Sequence, residues 1–370
     1  MRIVYLYPSM AIYGGIERIF VDKMNLLVQL YGYDVTLVTS DQGSHAIPFE
    51  LDAQVRHIDL DIRFHQRYRY GLLRRWWEYR RLKRLYAARL RQTLTELQPD
   101  VLVCTTFQQV QQLLKLKGRI PLVVESHLNY SHPDTLWHHV QRRVNNHYIG
   151  KADAVVTLTE GDARQWRRVS DEVRVIPNVV HLNDTGRLSD GTVHRAVFAG
   201  RFTEQKGIGT LMDVWQLVHQ RHPDWQLDLY GQGEEWDHYH QRAETLDARI
   251  TVHPPTAHVF DEYLSSAMLL VTSVYEPFGL VIPEAMSCGL PVVAFDCPFG
   301  PAAIITDGTD GFVVPGRDVE AFADCVCQLI ENLELRQRMG QAAVNAAQRY
   351  SPERIMPLWK ELFEKIQNRQ

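Results

Sequence analysis

The chain opens on Arg2-Ile-Val-Tyr-Leu-Tyr7, a β-branched and aromatic run of the kind that fills strands. Gly14-Gly15 punctuates it. From Ile16 to Leu30 apolar residues then return every three or four positions, the period of a helix with one buried face. Further strands are predicted at Val35–Thr39, Val101–Thr105, Leu122–Glu125 and Ala154–Leu158, separated by polar or helical stretches. The pattern restarts at Ala196–Gly200, followed by a helix over Gly209–Gln220. Strands follow at Leu227–Gly231, Ile250–Val252, Met268–Thr272, Pro291–Phe295 and Phe312–Val314. Alternating strands and helices imply mostly parallel sheets covered on both faces. Two Rossmann-like, doubly wound α/β domains facing across a cleft are therefore expected, residues 1–180 and 187–350, joined by a hinge over Ile176–Gly186. A last helical piece, 351–370, is expected to return to the first domain.

Composition narrows the class. A chain of 370 residues suits two domains, and no apolar run approaches the length of a membrane span, about 20 residues. The start does not resemble a signal peptide. Five cysteines without a CxxC argue for a reducing cytoplasm, and against a disulfide scaffold or a structural zinc site. Net charge is −4, but residues 1–185 carry 25 basic and 19 acidic groups, whereas residues 186–370 carry 15 and 25. The first half is thus suited to an anionic partner.

Three stretches suggest chemistry. Ala199-Gly-Arg-Phe-Thr-Glu-Gln-Lys-Gly207 follows a strand, where Arg201 and Lys206 suit a phosphate; a solvated turn with two surface cations is the plain alternative. Gly14 and Gly15 precede a helix whose first N–H groups are available to an anion, or simply form a turn. Glu276-Pro-Phe-Gly-Leu-Val-Ile-Pro-Glu284 sets one carboxylate in a loop after a strand and the other inside the next helix, and a carboxylate can accept from two vicinal hydroxyls. Asp59-Leu-Asp61 is a DxD, but two acids on one face of an alternating strand are more simply exposed than metal-binding.

Jointly, AGRFTEQKGI, EPFGLVIPEAMSCGLPVVAFD and DGTDGFVVPGRD resemble the retaining glycosyltransferase family 4, built on the two-domain GT-B fold. The resemblance spans the second domain, and the paired glycines extend it into the first. It implies a nucleotide-sugar donor, usually UDP-linked, with no metal and no other cofactor. By the same resemblance Arg201 and Lys206 contact the donor diphosphate, and Glu284 the ribose hydroxyls. Glu276 holds the donor sugar, supported by the N–H groups of Phe278, Gly279 and Leu280. Gly14 and Gly15 lie under the diphosphate, and His127 lies near the sugar. The catalytic set is thus Glu276, His127, Arg201 and Lys206. Relatives commonly carry Glu where this chain has Ala303, which leaves part of the donor pocket undefined.

Residues 63–91 hold 11 of the 40 Lys and Arg against one acid, Glu78. A helix over about 66–97 places Leu72, Trp76, Tyr79, Leu82, Tyr86 and Leu90 on one stripe. Arg74, Arg75, Arg81 and Arg84, with Trp76 and Trp77, are read as a surface for an anionic inner membrane and a lipid-linked acceptor; ordinary packing of the stripe on the first domain is the alternative. No nucleic-acid signature occurs. The expectation is a cytoplasmic, membrane-peripheral glycosyltransferase acting on a lipid-linked or cell-surface saccharide. Alternatives are another GT-B activity, such as a sugar-nucleotide epimerase or a transferase to a soluble acceptor, or a nucleotide-sugar-binding protein without turnover.

Overall fold

The computed structural model describes residues 1–105, 107–127 and 136–369. They divide into two compact units, Met1–Val179 with Ile355–Gln370, and Val180–Arg354.

The first unit runs β1 (Arg2–Tyr7), α1 (Gly15–Tyr31), β2 (Asp34–Thr39), β3 (Arg56–Asp59), α2 (Leu72–Leu97), β4 (Val101–Cys104), α3 (Phe107–Leu116), β5 (Leu122–Glu125), α4 (Leu136–Ile149), β6 (Ala154–Thr157), α5 (Glu160–Trp166) and β7 (Val173–Val175). The strands form one parallel sheet in the order β3-β2-β1-β4-β5-β6-β7, so the chain reverses direction across the sheet between β1 and β4. Such a reversal opens a crevice at the carboxyl ends of strands, where ligands of this architecture bind. One face of the sheet buries Ile3, Tyr5, Val103 and Val123 beneath α1, and the other packs on α2, α3 and α5. The chain's last helix, α13 (Pro352–Gln367), seats Ile355, Trp359, Leu362, Phe363 and Ile366 in the same core as α1. Helix α1 stops at Gly32, whose φ of 61° gives the left-handed cap that glycine supplies without strain.

The second unit repeats the scheme: β8 (Arg195–Ala199), α6 (Ile208–Arg221), β9 (Gln226–Tyr230), α7 (Trp236–Thr245), β10 (Ile250–His253), α8 (Val259–Leu264), β11 (Met268–Val271), α9 (Val281–Ser287), β12 (Val292–Phe295), α10 (Pro301–Ile304), β13 (Gly311–Val314), α11 (Val319–Glu331) and α12 (Leu333–Ala347). Its parallel sheet is ordered β10-β9-β8-β11-β12-β13, with the reversal between β8 and β11. The expectation of two parallel-sheet α/β domains therefore holds.

Two strands are not apolar runs. β3 reads Arg-His-Ile-Asp and β7 reads Val-Arg-Val, and both lie at sheet edges, where half the strand meets solvent. The acidic pair at 59 and 61 is corrected accordingly. Asp59 ends β3 and accepts from Thr39 Oγ1 at 3.0 Å and the Gly43 N–H at 2.9 Å. Asp61 lies past the strand, at φ 47°, and pairs with Arg63 at 2.5 Å. The two carboxylates do not share a strand face, and no metal-ligand cluster occurs among the described residues.

The predicted stripe on α2 also needs correction. Leu82, Tyr86, Leu90 and Leu94 are buried in the first unit, whereas Leu72, Leu73, Trp76 and Trp77 at the start of the helix are 83, 85, 50 and 64% exposed. One sequence period thus serves two surroundings, a packed second half and an uncovered first half.

Candidate functional site

In the second unit the turn after β8 and the loop after β11 are bound to each other. Thr272 Oγ1 donates to the carbonyls of Lys206 and Gly207 at 3.1 and 3.0 Å. The Val274 N–H donates to Gln205 O at 2.8 Å, and Gln205 Nε2 to Tyr275 O at 3.1 Å. Gly207 has φ 65°, and a Cβ there would lie 2.3 Å from Thr272 O, so only glycine permits this approach. The seam sets Lys206 Nζ 2.6 Å from Glu276 Oε2, with both side chains mostly buried. Ser273 Oγ donates to the same oxygen at 3.1 Å. From the third motif, Arg317 donates to Thr272 O and Ser273 O at 3.3 and 3.0 Å and pins the loop from the other side.

Glu276 is therefore not the free loop carboxylate expected from sequence: it is buried and ion-paired with Lys206. Arg201, by contrast, is exposed and makes no ion pair among the described residues. Phe278 is buried against Tyr350, ring centroids 5.2 Å apart. Gly279 takes φ 95°, and the N–H groups of Phe278, Gly279 and Leu280 donate to no described group. Gly300 closes on Glu276, since a Cβ there would lie 2.6 Å from its carbonyl oxygen. Glu284 is buried in α9. The structure thus joins Lys206, Glu276 and the 278–280 backbone directly, with Arg201 on the same turn. Sequence reading missed Ser273 and Arg317; the latter's signal was its place in the DGTDGFVVPGRD motif. His253 stacks on Tyr230 at 4.5 Å and bonds Asp228 at 3.2 Å, which ties the end of β10 into a polar network with Arg195 and Glu262.

In the first unit Gly14 caps α1 and Gly15 begins it. A Cβ at Gly14 would lie 2.3 Å from Glu17 Oε2, so the chain's own carboxylate already stands at this helix end; Glu17 also accepts from Tyr7 Oη at 3.0 Å. Burial, and then Glu17, push the Tyr7 phenol well above its usual range. His127 is buried just past β5.

At the start of α2, Trp76 and Trp77 pack edge to face at 5.1 Å. Arg74 lies over Tyr70 at 4.2 Å, Arg75 over Tyr68 at 4.1 Å and Arg80 over Trp76 at 4.6 Å. Arg81 pairs with Glu78 at 2.8 Å, and Arg84 is exposed. Farther along, a cavity of about 330 Å³ separates α2 from α3, with Lys83, Arg91, Lys115, Gln111 and Gln112 in its walls and no acid among them. No described helix is long and apolar enough to cross a membrane.

Residues 13–184 match the family described as Glycosyltransferase Family 4, and residues 193–332 match Glycosyl transferases group 1. The amylovoran biosynthesis glycosyltransferase AmsD of Erwinia amylovora is 27% identical, over 98% of this chain and 99% of that protein. Among solved structures, S. aureus TarM superposes with a TM-score of 0.80 at 15% identity, covering 98% of this chain and 99% of TarM. Anabaena HepE, solved with UDP and glucose, gives 0.76 at 22% identity, covering 98 and 99%. Both likenesses show a shared fold. With two parallel-sheet units and the family match running through both, the chain belongs to the family-4-like glycosyltransferases of GT-B fold.

Proposed function

We propose that this glycosyltransferase retains anomeric configuration, takes its sugar from a UDP-linked donor without a metal ion, and transfers it to a hydroxyl of a lipid-linked or cell-surface saccharide at an anionic membrane surface on the cytoplasmic side. The observation that carries the donor half is the Lys206–Glu276 pair, a cation and a carboxylate held 2.6 Å apart by the seam between the β8 turn and the β11 loop. A diphosphate offers Lys206 a second anionic partner, and the sugar offers hydroxyls to Glu276, so each member of the pair has its own part of the donor to meet. Breaking the anomeric C–O bond leaves negative charge on the β-phosphate. Arg201, Lys206 and the N–H groups of residues 278–280 stabilise that charge as it forms, and loss of one such group typically costs about 10²–10³ in rate. The acceptor oxygen bonds the anomeric carbon from the face the phosphate leaves, and its proton passes to the departing phosphate oxygen. Glu284 holds the ribose, Gly14 and Gly15 lie along the diphosphate, and His127 contacts the sugar.

UDP in the HepE and TarM crystals and the amylovoran pathway in the name of AmsD support the donor and acceptor classes. The uncovered Leu72, Leu73, Trp76 and Trp77, beside Arg74, Arg75, Arg81 and Arg84, support the membrane surface, since apolar side chains insert while cations meet anionic headgroups. A panel of UDP- and GDP-sugars offered with lipid-linked saccharide acceptors tests the reading. UDP release that depends on acceptor, with the product's anomeric configuration matching the donor, is expected. Donor binding without nucleotide release under every acceptor condition would instead leave a binding protein.

A further inference from the structure

Behind His127 lies a buried charge cluster that the chemistry above does not use. Lys23 of α1, Glu125 at the end of β5 and His127 are 3, 2 and 6% exposed. Glu125 Oε2 accepts from Lys23 Nζ in a close contact and stands 3.0 Å from His127 Nε2. Lys23 Nζ sits 4.1 Å over the ring of Trp359 from α13 and 4.9 Å over that of Phe20. Phe20 also meets the imidazole edge on, at 5.3 Å. Glu125 Oε1 is buried and accepts no hydrogen bond among the described residues, so the carboxylate spends one oxygen on two donors.

The protonation pattern follows. Burial alone would raise the Glu125 carboxyl, but the Lys23 ammonium and the hydrogen bond from His127 outweigh it and hold the group below its ordinary value. Burial lowers Lys23, with Glu125 opposing. An ionised carboxylate can only accept, so the ring nitrogen facing it must carry a hydrogen. In a neutral imidazole the other nitrogen is then bare. Tyr5 and Cys104, the other titratable groups that sense Glu125, are both pushed up by burial and then by its charge, and stay neutral.

We infer that Glu125 is a positioning residue that fixes His127 as the Nε2–H tautomer, so that the ring meets substrate through Nδ1 as a hydrogen-bond acceptor, with Lys23 and Trp359 holding Glu125 in place. The inference rests on the reading of His127 as a sugar contact, and it deepens that contact by giving its direction: a donor-sugar hydroxyl gives its hydrogen to Nδ1.

The test is ¹⁵N NMR of the full-length protein labelled in histidine, with the His127 signals assigned by their loss in His127→Asn. A protonated Nε2 and a bare Nδ1 are expected, and a protonated Nδ1 would overturn the inference. Glu125→Leu, which leaves no acceptor for the ring hydrogen, should release the tautomer preference and lower kcat about ten- to a hundredfold, the rate equivalent of one hydrogen bond to an ion, with UDP affinity unchanged. An unchanged tautomer in that variant would also overturn it. Lys23→Met/Glu125→Leu removes the lysine that the single variant leaves unpaired, and is read in the same way if the single variant does not fold. If the tautomer is as expected but His127→Asn transfers sugar as well as the parent, the sugar contact of His127 falls while the pairing with Glu125 stands.

Discussion

Lys206 and Glu276 are 70 residues apart in sequence, yet they form the closest charge contact of the candidate donor site. Each was visible in its own motif, because an Arg-and-Lys turn after a strand and a Glu-containing loop before a helix suit a phosphate and a sugar. Their pairing was not, since it is created by β8 and β11 lying side by side, which local pattern does not report. The pairing sharpens what substitution should do. Glu276→Ala leaves Lys206 free for a diphosphate, so UDP affinity should hold or rise while transfer falls about 10²-fold or more. Glu284→Ala should weaken both UDP and UDP-sugar binding. Equal losses of UDP affinity in the two variants, by calorimetry, would contradict the division of labour.

Elements covered on both faces, or with one face steadily buried, were legible; those whose covering changes at a sheet edge or along their length were less so. The central strands read as continuous apolar runs because both faces are covered. The edge strands β3 and β7 do not, because their polar residues face water. Helix α2 was legible as a helix but not as a divided one: its period is continuous, and only the sheet's extent decides where the covering ends. Leu82→Ala, in the packed half, should cost about 2–5 kcal/mol of stability. Trp76→Ser with Trp77→Ser should leave the melting temperature nearly unchanged and reduce co-sedimentation with anionic vesicles. Equal binding to neutral and anionic vesicles, insensitive to Arg74/Arg75/Arg81/Arg84→Ala, would remove the membrane surface from the account. Gly207→Ala tests the seam, because it forces a side chain into a left-handed position against Thr272 O; a loss of about 1–3 kcal/mol and lower UDP affinity are expected together.

Across the whole chain, composition anticipated two α/β domains and a basic first half, and the last helix has a specific electrostatic tie. Lys365 and Arg369 of the C-terminal segment reach Glu172 at 2.9 and 2.8 Å, and Arg174 joins them at 2.8 Å. Burial opposes ionisation of Glu172, but these hydrogen bonds prevail and hold its carboxyl at about 2, against an ordinary 4.5. A carboxyl depressed on folding contributes stability above its unfolded value and loses it as pH falls toward the folded one. The tie should therefore weaken between about pH 5 and pH 2. Over that range the melting temperature of Glu172→Gln should fall less steeply than the parent's, and parallel curves would discount the tie. The claim on which the rest depends is that the β8 turn and β11 loop hold the diphosphate of a nucleotide sugar. Calorimetric titration of UDP into the full-length protein and into Lys206→Ala tests it most directly. Saturable binding by the parent is expected, weakened at least about tenfold in the variant by loss of a charged hydrogen bond; undiminished affinity in Lys206→Ala, or no binding of UDP to the parent, would contradict the claim.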